Sequence, residues 1–121
     1  DSSLAFTIIG IALSVVGGLF FIFPVAVNEK VMDPLSESAV RPAAALRSVL
    51  GGSAIWSGIV AILCRSFPAD QASQLLTAYG IGMSIMLASI IAIKIRNFVD
   101  EIPYPPMVLF VVLIIIAFYA A

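Results

Sequence analysis

Between Leu4 and Val27 the chain runs for 24 residues without a charged side chain, closing on Phe20, Phe21, Phe23 and Pro24. A helix of that length reaches about 36 Å, enough to cross a hydrocarbon core of about 30 Å with some tilt. Three further apolar runs follow, Leu46 to Phe67, Ala72 to Ile95 and Pro105 to Ala121. Together they predict an all-α fold, an integral membrane four-helix bundle in one domain over 1–121, with spans at about 4–27, 46–67, 72–95 and 105–121. The last run counts 17 residues, the lower edge of the spanning range. The first is longer than the apolar stretch of a secretory signal and follows an acidic residue rather than a basic one, so it is expected to stay in the mature chain.

Composition leads the same way. Hydrophobic residues make up 62% and charged residues 11%, against about 45–50% and about 25% in an average soluble domain. A chain this small has too little interior to hide that much apolar surface, so lipid is the expected neighbour. The net charge of -1 offers no basic footprint for nucleic acid. There is no His, and Cys64 is the single cysteine. The usual ligand sets for zinc, histidine-bound haem and iron–sulfur clusters are therefore missing, as are an intrachain disulfide and a Ser-His-Asp or Cys-His pair. No metal, no cofactor and no catalysis are expected.

The connections are polar. Asn28 to Ala45 carries Glu29, Lys30, Asp33, Glu37 and Arg41 with Pro34 and Pro42, and predicts a loop with one short interfacial helix. Pro68 to Gln71 predicts a tight turn in which Asp70 caps the next helix. Lys94, Arg96, Asn97, Asp100 and Glu101 close the third run before Pro103, Tyr104, Pro105 and Pro106. Lys30, Arg41, Arg47, Lys94 and Arg96 fall on one side and Arg65 on the other. The positive-inside rule then sets both termini outside the cytoplasm, which in a bacterial inner membrane means the periplasm.

In lipid, small residues spaced by three or four mark the faces where helices approach closely. Gly10, Ser14, Gly17 and Gly18 form such a stripe in the first run, Gly51, Ala54 and Gly58 in the second, and Gly80, Ser84, Ala88 and Ala92 in the third. The fourth has none before Ala117, so the first three spans are expected to pack together with the fourth more peripheral. Arg47 begins the small-residue face of the second run, one turn before Gly51. Its three readings are an ion pair with Glu29, Asp100 or Glu101 at the bundle mouth, an anionic head-group or substrate site, and snorkelling to the interface. Trp56 and Tyr79 read as packing or cavity lining, Ser53, Ser57, Ser84 and Ser89 as satisfied on the preceding turn, Tyr104, Phe118 and Tyr119 as interfacial aromatics, and Cys64 as a small apolar residue.

Phe23-Pro24 at the end of the first run, a polar loop, then Leu46-Arg47-Ser48-Val49-Leu50-Gly51-Gly52, Gly58 and finally Gly80 carry a resemblance over nearly the whole chain. The order resembles a bacterial family of small four-helix membrane proteins of unknown function, near the DoxX-like and ergosterol-scaffold-like proteins. The resemblance implies a four-helix fold, no established catalytic residues and a scaffolding role. Three functions follow from these features. The first is a non-catalytic accessory or scaffolding subunit of a larger membrane protein complex, and the second a binding protein for a lipid, quinone or isoprenoid with Arg47 near the head group. The third, a redox or thiol enzyme by analogy with DoxX-like relatives, conflicts with the single cysteine and the absent histidine.

Overall fold

A computed structural model describes all of residues 1–121 and is entirely helical: α1 (Ser2–Ile22), α2 (Pro24–Val31), α3 (Glu37–Leu63), α4 (Ala69–Ile95) and α5 (Tyr104–Ala120). Of these, α1, α3 and α4 are long and apolar enough to cross a membrane, and α5 is a shorter apolar helix. The exterior is apolar as well. Leu46 is 73% exposed and Ile95 74%, an outer surface suited to hydrocarbon.

Local chemistry sets the helix ends. The Asp1 carboxylate accepts from the Leu4 amide at 3.2 Å, opening α1. The expected single run over 4–27 breaks at Phe23, whose φ of -123° and ψ of 53° leave the helical region. Pro24 is the cause: its ring disfavours a helical residue before it, while its own fixed φ suits the first position of α2. The expected loop over Asn28 to Ala45 is mostly helical, with only Met32 to Ser36 left between α2 and α3. Pro42 lies inside α3, in its second turn, where it removes one helical amide donor. Asp70 does not cap α4. Pro68 occupies that position without a side-chain bond, and Asp70 lies in the first turn, where its charge complements the helix dipole. At the other end, Asn97 adopts a φ of 61°. Its amide donates to the Lys94 carbonyl at 3.1 Å and the Phe98 amide to the Ile93 carbonyl at 2.8 Å, the bonding of a Schellman stop with Asn in the left-handed position.

The most extensive packing joins α1 to α3. A Cβ built on Gly17 would fall 2.6 Å from the Gly51 carbonyl oxygen, and one on Gly51 the same 2.6 Å from the Gly17 oxygen. Gly10 and Gly58 repeat this reciprocity at 2.7 Å. The two pairs lie one heptad apart on antiparallel helices, so backbone meets backbone every second turn and Cα–H groups face carbonyls. Ser14 fits between them, its buried Oγ packed on Gly58.

The second pair is α4 with α5, and α1 joins the two pairs by touching both. This corrects the expected grouping of the first three spans with a peripheral fourth. Leu113 and Ala117 of α5 are 1% and 0% exposed, and they share the core with Phe6, Ile9, Leu13, Ala61, Leu76 and Met83. Gly80 accordingly faces Phe118 of α5 rather than α1 or α3, while the Ser84 hydroxyl donates to the Gly80 carbonyl at 2.7 Å. One link crosses from α4 to α3: the Tyr79 hydroxyl donates to the Ser57 carbonyl, with the Tyr79 ring edge-on to Phe6 at 6.5 Å. The Ser73 hydroxyl donates to the Ala121 carbonyl at 3.0 Å, so the start of α4 and the end of α5 meet. The shared core lies toward this end, where both termini emerge.

Candidate functional site

At the opposite end the chain bends at Phe23 and α2 packs against α3, and the one residue α2 buries is Asn28, 4% exposed. Asn28 lies one turn beyond Pro24, so the proline that ends α1 also determines where this amide goes. Facing it, half-buried Arg47 of α3 donates through Nε to the Asn28 Oδ1 at 2.7 Å. The Arg47 guanidinium lies over the Phe20 ring, 5.0 Å from its centroid. Such a contact contributes about 0.5–2 kcal/mol, depending on how dry it is.

The hydrogen bonding of this cluster is incomplete. Arg47 uses only Nε, leaving both terminal amino groups of its guanidinium without an acceptor in the chain. The Asn28 Nδ2 is buried and has no partner. A buried amide donor left in that state costs about 1–3 kcal/mol. The amide orientation is determined by its neighbour, because turning it over would aim Nδ2 at the Arg47 Nε–H, donor against donor. The result is two neighbouring side chains with open donors and a fixed positive charge, and no carboxylate beside them.

The other residues expected at this mouth go elsewhere. The partner of Arg47 is Asn28 rather than Glu29, Asp100 or Glu101, which corrects the expected ion pair. Glu29 follows Asn28 on the exposed side of α2, because successive helical residues lie about 100° apart. The Asp100 amide donates to the Asp33 carboxylate at 3.1 Å, and its carbonyl accepts from Lys94. The Asp33 bond ties the first connection to the third. Glu101 is exposed. Sequence reasoning passed over Asn28 because it is uncharged and ends an apolar stretch. Its position one turn after Pro24, on the same helical face, is the signal that could have found it.

Elsewhere, Trp56 is exposed, and Cys64 is buried as a free thiol. Asp70, Gln71, Ser73, Gln74 and Thr77 line a shallow, open depression at the start of α4. Comparison with family models, with curated proteins and with solved structures found no match to this chain.

Proposed function

We propose that this chain is a non-catalytic integral membrane protein, a four-helix bundle that binds a lipid, quinone or isoprenoid with its head group at Arg47. The observation that carries the proposal is the unsatisfied donor set: a half-buried Arg47 without a carboxylate partner beside a buried Asn28 amide without an acceptor. A group supplying acceptor oxygens would complete both. Within the proposal the termini lie on the non-cytoplasmic side of a bacterial inner membrane, and the likeness to small four-helix proteins near the DoxX-like group belongs to the same reading.

The test is retention. Protein reconstituted in nanodiscs from a total lipid extract, then released into native mass spectrometry, is expected to hold an amphiphile that Arg47→Ala loses. Wild-type protein holding nothing beyond bulk lipid overturns the proposal. A second reading, the accessory subunit of a larger membrane complex, is favoured by the polar row Gln71, Gln74 and Thr77, which α4 exposes beside its apolar face. Amides facing lipid seek a polar partner. Co-purification in fixed ratio with a larger assembly, released by polar substitutions at the exposed Val112 and Ile115 of α5 but not at Ile116, which packs on the bundle's own core, is the expected result for that reading.

A further inference from the structure

We infer that the group held at the Arg47 end is a phosphate, carried by a phospholipid or free in solution, and gripped jointly by the terminal amino groups of Arg47 and the Nδ2 of Asn28. The inference rests on the binding reading above and names its ligand class. Three features select phosphate.

The first is charge. The open side-chain groups at the site, the Arg47 amino groups and the Asn28 Nδ2, are donors, and the guanidinium there has no carboxylate partner. A neutral carbonyl, as in a quinone, would accept hydrogen bonds without balancing the charge.

The second is shape. A carboxylate is planar, and when the guanidinium fork takes both of its oxygens their remaining lone pairs stay in the plane of that fork. The Asn28 Nδ2 belongs to a second group, since that same amide accepts from Arg47 Nε through Oδ1. A tetrahedral phosphate offers the fork two oxygens and still has a third for the amide. Phe20 covers one face of the guanidinium, leaving its edge as the binding side. Reaching Nδ2 requires α2 to give slightly at Phe23 and Met32, the two non-helical residues that bound it.

The third is depth. From Arg47 to its end at Leu63 α3 rises about 24 Å, and Arg65 follows two residues later, a span close to the thickness of a hydrocarbon core. With Arg65 at one boundary, Arg47 lies at the other, where lipid phosphates lie.

The experiment uses the whole protein in nanodiscs and compares retention of phosphatidylglycerol, diacylglycerol with the same acyl chains, and a quinone, with inorganic phosphate as a separate titrant. Wild-type protein is expected to favour phosphatidylglycerol over diacylglycerol by about tenfold or more, the weight of one charge-assisted hydrogen bond. Asn28→Asp provides Arg47 with an internal carboxylate and keeps the side-chain shape, so it folds, and it is expected to lose that preference. Arg47→Gln is expected to lose it too, and Arg65→Gln to keep it. Displacement of the lipid by inorganic phosphate identifies a site that reads phosphate from solution; no displacement identifies a lipid site, and both support the inference. Arg47-dependent retention of diacylglycerol or quinone equal to that of phosphatidylglycerol overturns the phosphate inference while leaving the binding reading intact, and so does an Asn28→Asp variant that behaves as wild type. Wild-type protein that holds none of the probes overturns the binding reading itself.

Discussion

Gly17 and Gly18 are neighbours in α1, and Gly51 and Gly52 in α3, yet alanine should act oppositely within each pair. A Cβ on Gly17 would fall 2.6 Å from the Gly51 carbonyl oxygen and 2.8 Å from the Ile55 amide nitrogen, while one on Gly18 meets nothing within 4 Å. Gly51 mirrors this at 2.6 Å from the Gly17 oxygen, and Gly52 is open. The obstructing atoms are backbone, so no side chain can swing away. Restoring ordinary contact requires α1 and α3 to separate by about 0.8 Å along their whole shared face. Overpacking of that kind costs about 1–3 kcal/mol. Alanine also gains about 0.5–1 kcal/mol of helix propensity at each position, a contribution that cancels within each neighbouring pair. Gly17→Ala should therefore fall below Gly18→Ala, and Gly51→Ala below Gly52→Ala, by about 1–3 kcal/mol. The double variant Gly17→Ala/Gly51→Ala should cost less than the sum of its parts, because helices already moved apart admit the second methyl more easily. Reversible unfolding in mixed micelles, followed by far-ultraviolet circular dichroism, measures all five. Equal stability of Gly17→Ala and Gly18→Ala would refute the backbone-to-backbone register of α1 on α3.

Arg47→Ala should destabilise the protein by about 1–2 kcal/mol in the same assay, since it strips the Asn28 Oδ1 of its donor and Phe20 of its cation. Exposed Arg65, which bonds only the Ile62 carbonyl at 3.3 Å, should tolerate alanine within about 0.5 kcal/mol; equal losses at the two positions would remove the special role of Arg47. Tyr79→Phe deletes the hydroxyl that reaches from α4 to the Ser57 carbonyl of α3 and should cost about 0.5–1.5 kcal/mol. An unchanged unfolding midpoint would show that α1 alone holds the two helix pairs together. For orientation, a single cysteine at exposed Ser36, introduced after Cys64→Ala, should resist a membrane-impermeant thiol reagent in intact cells and react after lysis. Labelling in intact cells would reverse the assignment drawn from the basic residues.

Helix content and the length of the apolar runs were legible from residue order, because transfer from water to a nonpolar medium depends on composition along the chain and needs no knowledge of what lies across from it. The glycine stripes on α1 and α3 were equally visible, since spacing alone marks a face. What a stripe does not carry is its partner. Gly10 could meet any small residue of a neighbouring helix, and the pairing with Gly58 emerges only when two antiparallel backbones settle into a common register. For the same reason Gly80 turned out to face Phe118 on α5 rather than a small residue, because a flat aromatic ring can also fill the space above a glycine. Arg47 announced itself as a group in need of an acceptor. Its pairing with Asn28 came from the direction α2 takes after the Phe23 break, a matter of backbone geometry in three dimensions. Of the three expected acids Glu29 lies nearest in sequence, but a helix turns about 100° per residue, so two consecutive side chains cannot both face α3.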